Sequence, residues 1–112
     1  MNVSKLTAFW FTPDSEKRKK KPTRFKIKPL SAAKFYEVAD DCELVSGNPR
    51  PNKTARELLW IEGIVDWENF KDGKEVVPFS SDNFELIPFV TLQELTREIF
   101  TVSSLSGAEI KN

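Results

Sequence analysis

The chain of 112 residues contains no histidine and a single cysteine, Cys42. Without histidine it has no side chain whose ordinary pKa lies near neutral pH, so the usual general base and the imidazole metal ligand are missing. One cysteine excludes an intramolecular disulfide and a thiolate-rich zinc site within one chain. We therefore predict that the chain is not an enzyme, that it holds no cofactor or metal, and that Cys42 packs as a small apolar side chain.

Glycine is sparse, and long apolar runs are absent. The four glycines are too scattered to form a phosphate-binding loop, at positions 47, 63, 73 and 107. No segment approaches the roughly 18 uninterrupted apolar residues of a membrane span, and the aromatic triplet at 9–11 is too short for the apolar part of a signal peptide. We expect a cytoplasmic protein that does not contact membranes.

Charge of one sign is not in excess either, because 17 basic and 17 acidic residues cancel. Proteins dedicated to nucleic acids usually carry a basic excess, since neutralising phosphates supplies most of their non-specific affinity. A net charge near zero also weakens the repulsion between copies and makes self-association easier. The balance favours protein partners, including further copies of the chain, over nucleic acid.

Aromatic residues, by contrast, are plentiful, with nine phenylalanines and three tryptophans. Each buries on the order of 150–250 Å² when enclosed, so the supply exceeds what a small core must hide. We predict that part of it meets another chain. The candidates for partner binding are Trp60, Trp67, Phe70 and Phe79. The alternative, that these four side chains form the core, stays open at this point.

Hydrophobic patterning predicts a small single α+β domain over residues 1–102, with two short β-hairpins and three to four helices, followed by a flexible polar tail at 103–112. The first hairpin spans 7–29, because Phe25 and Ile27 alternate with charged residues as in a half-buried strand. The second is indicated by the type I′ turn candidate Asp72-Gly73.

Capping residues predict where the helices begin. Ser31 is the expected N-cap of a helix over 32–42, with a buried stripe that includes Ala39 and Cys42. The segment 46–52 is so rich in turn formers that we expect a loop.

Two sequences that match the capping-box pattern, beginning at Thr54 and Thr91, are expected to open two further helices. The first of these helices should end or bend at Gly63. A short helical turn is expected between them, over 80–89.

Basic residues concentrate in the connection of the first hairpin, where 14–21 is expected to form an exposed, mobile loop. One interpretation is electrostatic contact with an acidic partner or nucleic acid. The other is a solvated loop that also blocks edge-to-edge strand pairing. The residues concerned, which we call the basic loop cluster, are Lys17, Arg18, Lys19, Lys20 and Lys21.

Three segments of the chain together resemble a known family. Residues 63–80 combine a Trp-Glu pair, a charged turn with glycine and a Val-Pro-Phe-Ser step into a helix. Residues 22–30 form a basic-apolar strand that precedes a helix, and the chain ends in Lys-Asn at 111–112. In their order and spacing these segments resemble the small tail assembly chaperones of long-tailed (siphovirus-like) phages and prophages, over about a third of the chain.

The resemblance implies a protein made in many copies that binds the tape-measure protein, keeps its helices from aggregating and recruits tail-tube subunits. In that family a longer form often arises by translational frameshifting near the C-terminus. Trp67, Phe70 and Phe79 lie in the matched segment and are expected to shape its hairpin. The dense lysine cluster departs from the family pattern, and the resemblance gives it no role.

Three other functions remain as alternatives. The chain can instead be a structural component of the phage, such as a minor tail or head–tail connector protein, which would be found in finished virions. It can be a small nucleic-acid-binding regulator acting through the basic loop cluster, which predicts affinity that falls steeply with salt. An enzyme would need a metal or cofactor held by carboxylates.

Overall fold

In a computed structural model, the backbone is described for residues 7–111 and the side chains for 7–47 and 50–104. Helices and antiparallel strand pairs alternate along this part of the chain, which confirms the α+β class. In chain order the elements are β1 (Phe9–Phe11), a first 3-10 helix (Asp14–Glu16), β2 (Arg24–Ile27), α1 (Ala32–Asp40), β3 (Cys42–Val45), β4 (Asn48–Pro51), α2 (Lys53–Gly63), β5 (Ile64–Glu68), β6 (Lys71–Asp72), β7 (Glu75–Val76), a second 3-10 helix (Ser81–Leu86) and α3 (Phe89–Lys111).

The central sheet has three antiparallel strands in the order β1-β2-β5. Phe25 pairs with Trp67 across β2 and β5, and the register shifts between Lys26 and Ile27. The alternation predicted for β2 is confirmed, since Phe25 and Ile27 are buried while Arg24 and Lys26 are only partly covered. This alternation directs one face of the sheet into the core.

The predicted hairpin around Asp72 is present as β6 and β7, but its turn is shifted by one residue. Asp72 pairs with Glu75, so the two turn residues are Gly73 and Lys74 rather than Asp72 and Gly73. Only Gly73 has a positive φ, at 65°. A positive φ at the first turn residue alone is typical of a II′ turn and not of the predicted I′ turn.

The segment 46–52, expected to be a loop, instead forms most of a third hairpin from β3 and β4. Ser46 and Gly47 both have positive φ, at 52° and 80°, as a two-residue I′ turn requires. The prolines of β4 argued against a strand, but Pro49 and Pro51 pair with Leu44 and Cys42, two positions apart. Counted outward from the turn, both occupy non-hydrogen-bonded positions, so neither removes a ladder bond.

Helix α1 begins where predicted, with the Ser31 hydroxyl accepting a hydrogen bond from the Lys34 amide. It ends at Asp40, two residues early, because Cys42 already belongs to β3. Ala39, within the helix, is exposed and not part of the buried stripe that we expected.

Both predicted capping boxes are wrong. Asn52 is the N-cap of α2, and its side chain accepts from the Ala55 amide at 2.9 Å, so Thr54 already lies inside the helix. Helix α3 starts at Phe89, and the Leu92 amide donates to the Pro88 carbonyl. Each helix therefore begins upstream of the predicted cap.

The core lies between the sheet and helices α2 and α3, and one edge of it is an aromatic cluster around Trp67. The Trp67 ring lies 5.0 Å from Phe70, 4.9 Å from Phe79 and 5.9 Å from Phe84, centroid to centroid. Its indole Nε1 donates to the buried Val77 carbonyl at 2.8 Å. The hairpin and the second 3-10 helix are thereby held together by one side chain.

Helix α3 continues to Lys111, past the end predicted for the domain at 102. Ser103, which we expected in the polar tail, is only 1% exposed. Its hydroxyl accepts from the Leu30 amide at 2.9 Å and donates to the Ile99 carbonyl at 2.6 Å. This pair of bonds ties α3 to the segment between β2 and α1.

Candidate functional site

The four aromatic residues predicted to bind a partner occupy different environments. Trp67 and Phe70 are 6% and 7% exposed and belong to the core, so contact with a partner through them would require the core to open. Phe79 is 39% exposed but rests against Trp67. Trp60 is half-buried and lines a groove, whereas the other three form one cluster. Of the four, Trp60 and Phe79 remain accessible.

The groove at Trp60 lies between the β3–β4 hairpin, α2 and α3, and has a volume of about 1060 Å³. We call it the arginine groove, for the guanidinium groups on its walls. The residues that line it are Val45, Ser46, Arg50, Pro51, Arg56, Trp60, Phe89, Leu92, Gln93, Thr96, Arg97, Phe100 and Thr101.

One long side of the arginine groove is a single face of α3. The α3 residues that line it, from Phe89 to Thr101, recur at spacings of three and four, which places them on one side of the helix. Over this interval α3 rises about 18 Å at 1.5 Å per residue. The groove is therefore open along roughly three helical turns.

Trp60 is fixed in this groove by a hydrogen bond to α3. Its indole Nε1 donates to Thr96 Oγ1 at 2.8 Å, and that hydroxyl in turn donates to the Leu92 carbonyl at 2.7 Å. Because the donor is satisfied within the chain, the indole offers mainly its apolar surface to an occupant. Phe89, at the end of the groove, is 73% exposed.

The charges on the groove are all of one sign among its described lining residues. Arg50 comes from β4, Arg56 from α2 and Arg97 from α3, and no carboxylate lines the groove within that set. Arg56 is held toward the hairpin, because its Nη1 donates to the Pro51 carbonyl at 3.0 Å. The groove thus combines six apolar lining residues with one arginine from each of three elements.

A second, shallower groove of about 510 Å³ lies between α1 and α2 and has the opposite charge. Glu57 of α2 and the acidic residues near the end of α1 line it, next to Ile61, which is 61% exposed. Helix α2 therefore presents a basic side to one groove and an acidic side to the other. The acidic lining residues are Glu37, Asp40, Asp41 and Glu57.

The loop that carries the basic cluster is exposed as expected, apart from Glu16, but its start is attached to the domain. Ser15 lies against α3, with its amide 3.3 Å from Glu94 Oε2 and its hydroxyl 2.9 Å from Thr91 Oγ1. Glu16 is buried and accepts from the Thr23 amide at 3.2 Å. A 3-10 helix at 14–16 makes these contacts possible.

Two members of the basic loop cluster form ion pairs within the loop. Lys17 lies 2.7 Å from Asp14, and Lys19 lies 2.5 Å from Glu16. Hydrogen bonding and charge attraction between Lys17 and Asp14 raise the pKa of the lysine and lower that of the aspartate. Arg18, Lys20 and Lys21 are exposed. The cluster is therefore less positive toward a partner than its sequence indicates.

Burial raises the pKa of Glu16, but hydrogen bonds from Lys19 and Thr23 outweigh this effect and hold it below its ordinary value. Glu16 is consequently ionised at neutral pH and serves as an anchor of the loop. No local pattern indicated that this one acidic residue of the polar loop would be buried.

Two aromatic residues of the first hairpin, Phe25 and Trp10, do not give the basic loop an open platform for single-stranded nucleic acid. Phe25 is 1% exposed and cannot stack with a base. Trp10 is accessible, but Arg24 and Lys26 lie over its ring, at 5.2 and 6.0 Å from the centroid. The ring is thus already occupied by cations of its own chain.

Cys42 lies at the start of β3, half-buried, with its Sγ donating to the Val38 carbonyl at 3.2 Å. Burial, together with the negative charge of Asp41, raises the pKa of the thiol. A raised pKa leaves little of the thiolate, the nucleophilic form of cysteine, at neutral pH. Among the described residues, no three or more cysteine or carboxylate side chains, including the four of the acidic groove, are placed so that they could hold one metal ion.

Sequence reasoning did not identify Phe89 or the three arginines of the groove. A signal for Phe89 was present, since Phe89, Leu92, Thr96 and Phe100 recur at helical spacing on α3. The arginines lie on three separate elements, and nothing in their sequence positions brings them together.

None of the helices in the described part of the chain is long and apolar enough to span a membrane. Comparison of the chain with models of protein families, with curated proteins and with solved structures gave no match. The features that indicate a function are therefore the arginine groove and the sequence motifs of the chain.

Proposed function

We propose that the chain is a tail assembly chaperone of a long-tailed phage or prophage, which binds the tape-measure protein and recruits tail-tube subunits during tail assembly. It acts in the host cytoplasm, in several copies that also contact one another. The motifs at 22–30 and 63–80 support the family. The observation that carries the proposal is the arginine groove, an open surface suited to a segment of another chain.

The shape of the groove supports binding of a helical client. Tape-measure proteins are long and helical in the family that the chain resembles. An amphipathic helix buries its apolar side in a hydrophobic groove and is anchored at spacings of three and four residues. The face of α3 between Phe89 and Thr101 has that spacing and about three turns of length. Phe89 is exposed to water in the free protein and supplies apolar surface that a bound helix would bury.

The decisive experiment is co-expression with the tape-measure protein of the same genome. We expect soluble tape-measure protein, and a complex on affinity purification, only when the chain is present. Unchanged solubility with no complex would refute the proposal. Stable incorporation into finished virions would instead favour a minor tail or connector protein, because a chaperone is absent from them.

A matched pair of variants connects this experiment to the groove. Phe89 and Val90 are consecutive exposed apolar residues in the first turn of α3, at 73% and 55% exposure, but only Phe89 lines the groove. Phe89→Ala is expected to raise the dissociation constant about tenfold, the effect of removing one aromatic anchor worth about 1.4 kcal/mol, and so to lower recovery of the complex at protein concentrations below that constant. Val90→Ala should leave recovery within about twofold of the wild type. Equal recovery with both variants would remove the groove from the proposal.

A further inference from the structure

The apolar part of the arginine groove requires an occupant with an apolar side. Trp60, Leu92 and Phe100 line it as half-buried residues, and the indole of Trp60 has its one donor satisfied by Thr96. A wholly polar occupant would lose hydration against these surfaces without gaining hydrogen bonds from the rings. The apolar lining therefore selects a partner that brings aliphatic or aromatic side chains.

The charged part of the groove favours negative charge on the same occupant. Arg50, Arg56 and Arg97 approach from three elements, and none of the described lining residues is a carboxylate. Glu43 is the cross-strand partner of Arg50 on β3 but does not line the groove. Guanidinium groups bind carboxylates in a planar, two-pronged geometry and are favoured in protein interfaces. An occupant with carboxylates beside its apolar stripe would satisfy both parts of the groove.

The geometry of the walls favours a helix as the form of that occupant. Two of the three walls are helix faces, α2 with Arg56 and Trp60, and α3 from Phe89 to Thr101. Two helices pack side by side at 8–10 Å between axes by interlocking side chains, without backbone hydrogen bonds between them. Three turns of α3 face the groove, which matches three turns of a partner helix.

We propose that the arginine groove binds an acidic amphipathic α-helix of the client protein, with its apolar stripe on Trp60 and Phe89 and its carboxylates toward Arg50, Arg56 and Arg97. The inference rests on the proposed function, in that it takes this helix from the tape-measure protein. It adds the chemistry by which the client is selected. Electrostatic attraction sets the orientation and rate of binding, and the apolar stripe supplies most of the affinity.

The surroundings of the groove disfavour nucleic acid as its occupant. Six of the thirteen lining residues are apolar and three are basic, whereas nucleic-acid surfaces owe most of their affinity to dense basic contacts with phosphate. The other side of α2 carries Glu57 within an acidic groove, which repels a polyanion that extends past α2. A short helix with its own apolar side avoids that repulsion.

The test uses two fluorescently labelled 18-residue peptides, each held helical by lactam bridges because a free helix of this length is marginal in water. Both have the same leucine stripe, and their flanks are all glutamate in one and all lysine in the other. Anisotropy titrations with the full-length protein are expected to show binding of the glutamate peptide and at least about tenfold weaker binding of the lysine peptide.

Charge reversal on the groove gives the second arm. Arg56→Glu/Arg97→Glu is expected to weaken the glutamate peptide about tenfold or more and to strengthen the lysine peptide. The control Arg18→Glu/Lys20→Glu makes the same change in net charge on the basic loop and should leave both affinities within about twofold. If the circular dichroism spectrum of the double variant differs from that of the folded wild type, the single variant Arg97→Glu replaces it in this test.

Three outcomes would overturn the inference. One is equal binding of the glutamate peptide to wild type and to the Arg56→Glu/Arg97→Glu variant. In another, a 20-nucleotide single strand displaces the glutamate peptide and binds more tightly than it, and the Arg56→Glu/Arg97→Glu variant no longer binds this strand. In the third, neither peptide binds, the wild-type protein forms oligomers seen by light scattering, and the Arg56→Glu/Arg97→Glu variant does not. That result would assign the groove to a second copy of the chain.

Failure of this inference is distinguishable from failure of the proposed function. If wild type and the Arg56→Glu/Arg97→Glu variant solubilise the tape-measure protein equally, the chaperone function stands and the groove chemistry is wrong. If the glutamate peptide binds with the expected variant effects but the tape-measure protein is not solubilised, the groove chemistry stands and its client is another protein.

Discussion

A methyl group at Gly63 would collide with Ile99. A Cβ built on Gly63, the last residue of α2, would lie 2.6 Å from Ile99 Cγ2 and 2.9 Å from its Cδ1. Ile99 is itself fully buried, so its side chain has no free space into which to withdraw. The missing Cβ is what allows α2 and α3 to approach closely at this point.

Gly63→Ala is therefore expected to destabilise the protein by about 1–3 kcal/mol, the usual cost of overpacking a core. The direction of the change in stability is informative, because replacing glycine by alanine elsewhere inside a helix stabilises the helix by about 1 kcal/mol. Urea denaturation followed by circular dichroism measures the change. In an Ile99→Ala background the penalty should disappear. A Gly63→Ala protein as stable as the wild type would show that the helices can separate at no cost.

Trp67 is expected to determine stability and not partner binding. Trp67→Phe removes the indole donor to the Val77 carbonyl and leaves that buried acceptor unsatisfied. We expect a loss of about 1–3 kcal/mol in the free energy of unfolding. The matched control is Trp10→Phe on β1, where the ring is 38% exposed and the change should cost less than about 1 kcal/mol. Equal losses in the two variants would contradict the central place of Trp67 in the core.

Glu16 is expected to contribute stability that depends on pH. Its pKa in the folded protein lies below the ordinary value of 4.5, so its contribution is fully present above that value and is lost as pH falls through the folded pKa. Glu16→Gln should lower the free energy of unfolding by about 1–2 kcal/mol at pH 7, with the difference from wild type shrinking below about pH 4.5. Urea titrations at pH 7, 5.5, 4.5 and about 3.5 measure this difference.

The control for that prediction is Glu85→Gln, at an exposed glutamate of the second 3-10 helix. It should change the free energy of unfolding by less than about 0.5 kcal/mol at each pH. A difference between wild type and Glu16→Gln that stays constant down to pH 3.5 would show that Glu16 acts by packing and not by its charge.

Local sequence patterns predicted much of the fold because their physical causes are local. Alternation with a period of two identified β2, since a strand places successive side chains on opposite faces. Ser31 identified the start of α1, because an N-cap hydroxyl bonds to an amide three residues away.

The predictions failed where two local signals competed. The glycine and prolines of 46–52 indicated a loop, while the pairing of β4 with β3 uses those prolines without losing a hydrogen bond.

At the candidate site, the aromatic residues likewise separate what the sequence predicts from what only the packing decides. Composition indicated that aromatic side chains exceed the needs of a small core, but could not say which of them are enclosed. Trp67 and Phe70 are enclosed because β5, β6 and the second 3-10 helix converge on them. Phe89 remains exposed because it lies at the start of α3, outside that cluster.

By itself, the sequence determined the α+β class and the exposed and buried faces of β2, because these depend on neighbouring residues. Its composition determined that the chain has no histidine and only one thiol. Only the tertiary structure decided the burial of Glu16 and Ser103, the approach of Gly63 to Ile99, and the arginine groove. Arg50, Arg56 and Arg97 share one surface because three elements pack together there. Such long-range packing depends on the shape of the whole core, which no local pattern encodes.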